Sequence, residues 1–118
     1  FGKPFARLTM NDAIKKYSGV DFDAVYTFTD TLAIGAMNRL RDLGKHVPDD
    51  VSVAGFSGTE LSTIVSPQLT TMEPPLAEMG RKAAEMVMEK INNPEMENRK
   101  VLLKTTMRKR ESTGEKED

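Results

Sequence analysis

The sequence predicts an α/β fold built on parallel strands, and three observations predict it. Two short apolar runs, Ala24–Phe28 and Val51–Phe56, have the length and composition of strands. Between them, Thr31–Leu43 carries Leu32, Ala33, Ala36, Met37, Leu40 and Leu43 at three- and four-residue steps, the spacing of one helix face. Strand, helix and strand succeed one another within the length of a βαβ unit, and an antiparallel pair would not need so long a connection. In such a unit the ligand crevice lies beyond the carboxyl ends of the strands. Those ends are Thr29-Asp30 and Ser57-Gly58-Thr59, so half of any small-molecule site is expected there.

The remaining elements follow in order. Phe1–Leu8, punctuated by Gly2 and Pro4, reads as the remnant of a strand. Thr9–Tyr17 reads as a helix, with Thr9 as N-cap, Asp12 at capping-box spacing and Ser18-Gly19 as its stop. The central helix takes Asp30 or Thr31 as N-cap; Ile34 lies off its densest stripe and is assigned to the core by default. Gly44–Asp50 is a turn, with Asp49 and Asp50 as turn formers. Glu60–Val65 is a short amphipathic piece, broken by Ser66-Pro67, and Gln68–Met72 a short strand. Pro74-Pro75 opens the longest helix, with Leu76, Met79, Ala83, Val87 and Ile91 on one stripe, and Asn92-Asn93-Pro94 stops it. Arg99–Met107 reads as the last strand, and 115–118 as a disordered polar end.

Composition narrows the function. A chain of 118 residues, 38% apolar and 30% charged, suits one soluble domain at most. The net charge of −1 gives no basic field for nucleic acid. The lack of cysteine excludes disulfides, thiolate metal sites and thiol catalysis. No apolar run reaches the length of a membrane span. The chain opens at Phe1 rather than Met and reads as a piece of a longer protein, so the missing signal peptide carries no weight.

Catalytic signals are absent. His46, the lone histidine, has no second ligand at metal spacing, and no glycine-rich phosphate loop or G-x-S-x-G elbow occurs. No catalytic residue, metal or cofactor is expected. The methionines fall mostly at helical core spacing and read by default as gap fillers, with Met79, Met86 and Met88 as the alternative of an adaptable interface. Asp30 is the polar residue of most interest. It follows an apolar strand and opens a helix, so it can cap the helix, face a polar ligand, or do both.

A colinear set of residues then carries a family resemblance. Asp23-Ala24-Val25, Thr29-Asp30, Ala33-x-Gly35-Ala36-Met37, Val47-Pro48-Asp49-Asp50-Val51-Ser52-Val53 and Gly55-Phe56 come first. Pro67-x-Leu69-Thr70-Thr71, Pro75, Met79-Gly80, Ala83 and Arg110-Glu111-Ser112-Thr113 follow. Over residues 22–113 the chain resembles the C-terminal part of the lac/gal repressor family of bacterial transcription regulators. The resemblance implies part of a two-lobed α/β core of the periplasmic-binding-protein-like type. Residues 1–66 would belong to the C-terminal lobe, 67–107 to crossing strands and a helix of the partner lobe, and 108–118 to a tail.

The resemblance also implies a small, sugar-like effector held in an interlobe cleft, with Thr29, Asp30 and Ser57 as contacts. Ser57 stands where the family has an aspartate, which makes it a neutral partner for the ligand. Ile34, Ile64 and Val65 match the family's homodimer interface, which moves Ile34 from core to interface. Operator DNA would be read only by a helix-turn-helix domain that this chain lacks, in the cytoplasm and without a membrane. The helix after Pro75 would lack its family partner, leaving an exposed patch, a swapped partner or a repacked arrangement. A periplasmic-type sugar-binding protein of a transport system is the alternative, and a small α/β enzyme the third class.

Overall fold

The computed structural model describes residues 22–114. The expected Thr9–Tyr17 helix, the strand remnant in Phe1–Leu8 and the polar end lie outside the described residues. The chain divides into two compact units, Phe1–Glu73 with Met107–Asp118, and Pro74–Thr106.

The first unit is the expected strand–helix–strand unit, extended. Strand β1 (Ala24–Tyr26) pairs parallel with β2 (Ser52–Phe56), in the register Val25 to Val53. β2 pairs parallel with β3 (Thr70–Glu73), in the register Gly55 to Thr71. β4 (Thr106–Arg108) completes the order β1-β2-β3-β4. Helix α1 (Asp30–Asp42) crosses from β1 to β2, and the short α2 (Leu61–Ile64) lies between β2 and β3.

α1 packs on the sheet because its inward stripe alternates small and large side chains. Ala33 and Ala36 are fully buried and let the backbone approach; Met37 and Leu40 fill the space beside Val51, Val53 and Leu69. Full burial of an aliphatic side chain such as Leu40 or Leu69 contributes roughly 1.5–3 kcal/mol. Thr29, not Asp30 or Thr31, is the N-cap of α1. Its backbone is extended and its Oγ1 accepts from the Leu32 N–H at 3.3 Å. Asp30 is the first helical residue, which frees its carboxylate for longer-range contacts. At the other end Gly44, at φ 74°, takes the left-handed position past the helix, and the Lys45 N–H reaches the Leu40 carbonyl at 2.9 Å.

The turn before β2 is tied by Asp50. Its carboxylate accepts from the His46 backbone N–H at 2.6 Å and lies 3.2 Å from the ring Nδ1, and these hydrogen bonds hold its pKa below the usual carboxylate range. A carboxylate depressed in the folded state contributes stability above its unfolded pKa and loses it as pH falls through the folded value. The turn should therefore stay closed down to about pH 4 and open only in more acid solution. An NMR titration of the His46 amide should show that acid step, and Asp50→Asn should abolish it.

The second unit is dominated by α3 (Leu76–Asn92), with Pro75 at its N-cap position and Asn93 at its C-cap. Its outer face is laced by Arg81 and Lys82 on Glu85, at 2.7 and 3.3 Å. No residue of α3 is buried: the stripe Leu76, Met79, Val87, Met88, Ile91 is exposed among the described residues. This agrees with the exposed patch expected on the helix after Pro75, and corrects the default reading of its methionines as core fillers. Met37 is buried, whereas Met79, Met88 and Met107 are not, because helical spacing marks an apolar face without supplying a surface to cover it. The expected strand Arg99–Met107 is also shorter than read. Only Thr106–Arg108 is extended against the sheet, and Val101 and Leu102 are exposed.

Candidate functional site

Because β1, β2 and β3 are parallel, their carboxyl ends lie on one edge of the unit. That edge carries Thr29, Asp30, Ser57, Gly58, Thr59 and Glu73.

Asp30 holds the edge together. It is fully buried, and its two carboxylate oxygens accept from three donors. Oδ1 accepts from the Thr71 hydroxyl within β3, and Oδ2 accepts from the Thr59 N–H at 2.7 Å and the Thr59 hydroxyl at 2.9 Å. One side chain at the start of α1 thus ties the loop after β2 and strand β3 to the end of β1. Gly55 makes room for it, since a Cβ there would sit 2.5 Å from Asp30 Oδ1. The carboxylate is turned inward, so what this edge presents outward comes from other groups.

The turn after β2 is strained. Ser57 has φ 120°, in the left-handed half of the map where glycine is at home, and it keeps that conformation through its N–H bond to the Met72 carbonyl at 2.9 Å. A non-glycine residue held so costs of order 1–3 kcal/mol, and such residues gather at ligand clamps. Gly58 follows at φ 64°, and its N–H donates to the Thr71 hydroxyl at 3.3 Å. A Cβ on Gly58 would lie 2.7 Å from Glu73 Cγ, so the turn rests directly on the Glu73 stem. Ser57→Gly should relieve the strain and raise stability by about 1 kcal/mol, read as a higher urea midpoint.

Glu73 ends β3 and forms an ion pair with Arg108 of β4. Exposed pairs of this kind contribute about 0–1 kcal/mol, so the fold does not depend on it. The sequence reading stopped at the ends of β1 and β2. The same carboxyl-end rule applied to the third strand points to Glu73, but nothing local pairs it with Arg108.

The other expected site residues fall elsewhere. Ile34 and Val65 are half-buried and pack against the edge of the core, while Ile64 is exposed. His46 lines a cavity of about 240 Å³ with Met37, Arg41, Lys45, Val47 and Pro67, none of which belongs to the carboxyl-end rim. Among the described residues no group of three His, Asp or Glu side chains could hold a metal ion. No described helix is long and apolar enough to cross a membrane.

A family model, the periplasmic binding protein-like domain, matches residues 6–113. The chain belongs to the periplasmic binding protein-like family. Proteins similar to it include transcriptional regulators. The HTH-type transcriptional repressor PurR of Vibrio parahaemolyticus is 40% identical over 92 residues, which cover 73% of this chain and 28% of that protein. The ribose operon repressor of Haemophilus influenzae is 37% identical over 89 residues, covering 75% of this chain and 27% of that protein. Among solved structures, a LacI-family regulator from Enterococcus faecium with bound ribose superposes with a TM-score of 0.78 at 28% identity, over 92% of this chain and 41% of that one. A LacI-family regulator from Arthrobacter sp. FB24 in complex with lactose gives 0.74 at 30% identity, over 92% and 41%. The chain therefore spans between about a quarter and two fifths of the length of these relatives. The lac/gal resemblance and the α/β fold class expected from the sequence both stand.

Proposed function

We propose that this chain is the ligand-sensing and dimerisation portion of a LacI-type transcriptional regulator, and that it performs no catalysis. The observation that carries the reading is the carboxyl-end rim. A strained Ser57 and a glycine turn are set beside the N-cap Thr29 and braced from below by the buried Asp30. A small, sugar-like effector would sit on this rim in a cleft closed by a second lobe. Residues 1–66 would belong to the C-terminal lobe, and 67–107 to crossing strands and a helix of the other. Thr29 and Ser57 offer hydroxyls to the ligand, and Asp30 acts by holding the turn that carries Ser57 and Thr59. Relatives that are repressors, and structural neighbours with bound ribose or lactose, support a regulator over a transport protein.

In the intact protein, effector binding would shift the lobes and change affinity for operator DNA held by a separate helix-turn-helix domain, in the cytoplasm. The test is operator binding by the full-length protein, titrated with ribose, lactose and cellobiose. A sugar that changes DNA affinity is the expected result; a protein that binds sugar but no DNA at any ligand concentration would favour the transport reading.

Ile34, Ile64 and Val65 are proposed as the homodimer interface. The exposure of Ile64 makes it the cleanest probe, because Ile64→Asp leaves the core untouched. Sedimentation of the variant should give a folded monomer, with the melting temperature lowered only by the lost dimer linkage. A surviving dimer would place the interface elsewhere.

A further inference from the structure

Resting on the effector-binding reading above, we propose that Glu73 and Arg108 are the recognition pair of this rim, and that they take a neutral polyol through adjacent hydroxyl groups. Parallel pairing places the carboxyl end of β3 beside that of β2, so Glu73 stands on the same edge as Ser57. The missing Cβ of Gly58 lets the strained turn rest on the Glu73 stem, which fixes the carboxylate at the rim. Arg108 Nε donates to Glu73 Oε2, and the two side chains remain 54% and 41% exposed. The other carboxylate of the turn, Asp30, is fully buried and already accepts from three donors, so it has no lone pair facing outward.

The chemistry of the pair selects the ligand. A carboxylate only accepts and a guanidinium only donates, and each does so bidentately. A hydroxyl both donates and accepts, so two neighbouring hydroxyls can bridge the pair without breaking it. The pair is itself neutral. A ligand carboxylate would compete with Glu73 for Arg108, and a ligand ammonium would compete with Arg108 for Glu73, each leaving a charge without its partner as the site closes. Adjacent hydroxyls on an uncharged ring avoid both conflicts.

Calorimetry on the full-length protein carrying this chain tests the proposal. The neutral probes are ribose, lactose and cellobiose; the charged ones are glucuronate and glucosamine. The parent protein should bind a neutral sugar, and both charged probes should bind at least about tenfold more weakly. Glu73→Gln and Arg108→Lys should each weaken the neutral sugar by about tenfold or more, with the urea midpoint little changed. The double exchange Glu73→Arg with Arg108→Glu should keep an ion pair and the stability but not the affinity. If the exchange regains affinity, or if both single variants bind as the parent does, the pair does not recognise the ligand and only this proposal falls. A charged probe that binds more tightly than the neutral sugars overturns the ligand class. A parent that binds none of the sugars overturns the effector reading and this proposal together.

Discussion

Asp30→Ala should destabilise the protein by about 3–4 kcal/mol, a large share of the 5–15 kcal/mol that holds a typical domain folded. The carboxylate is fully buried and satisfies the Thr71 hydroxyl, the Thr59 N–H and the Thr59 hydroxyl. Alanine removes all three bonds at once. The Thr59 hydroxyl can turn to water, but the Thr59 N–H and the buried Thr71 hydroxyl are left facing a void. Each buried donor left unsatisfied costs about 1–3 kcal/mol, and the lost atoms leave a cavity as well. In urea the midpoint should fall by about 2 M. Asp30→Asn should fall between parent and alanine, because one amide oxygen can replace only one of the two acceptors. An Asp30→Ala variant within about 1 kcal/mol of the parent would mean that the residue is not a brace, and its role would pass back to direct ligand contact.

Ser112→Ala should cost about 2–3 kcal/mol for a comparable reason at the opposite end of the sheet. Ser112 is fully buried between the amino ends of β2 and β3. Its Oγ donates to the Val53 carbonyl at 2.6 Å and accepts from the Thr70 N–H at 2.8 Å. Its backbone completes the splice, with the Val53 N–H bonded to its carbonyl at 2.8 Å and its own N–H bonded to the Gln68 carbonyl at 2.9 Å. Alanine keeps the backbone bonds and strands one strand donor and one strand acceptor. Amide exchange at Thr70 should quicken by about 30- to 150-fold if opening there follows the lost stability. Ser112→Thr should not rescue it, since the added methyl has no space in a site with no exposed surface. Unchanged Thr70 protection in Ser112→Ala would show that the segment after β4 is not a structural splice.

Much of the fold could be read before any coordinates. The strand–helix–strand unit was legible because its signals are local: apolar runs of strand length, a stripe at helical spacing and a turn that opens at Gly44. The carboxyl ends of β1 and β2 followed from the parallel connection alone. The short last strand was misread because Val101-Leu102-Leu103 has strand composition, and composition says nothing about whether an edge is there to pair with. The cap was misplaced by one or two residues because threonine and aspartate both serve at N-caps, and only a partner elsewhere draws Asp30 away.

The order of elements, the parallel βαβ core, the edge that gathers the carboxyl ends of its strands and the family likeness are determined by the sequence itself. Each depends on residues within a few positions of one another or on a colinear motif. The tertiary structure alone decided the rest. Asp30 meets Thr71 across 41 residues, Glu73 meets Arg108 across 35, and Ser112 meets Val53 across 59. Contacts that far apart have no periodicity to betray them. The first two exist because parallel pairing brings three strand ends to one edge, where a buried carboxylate must find donors and a strained turn must find support; the third exists because the segment after β4 returns to the amino ends of β2 and β3.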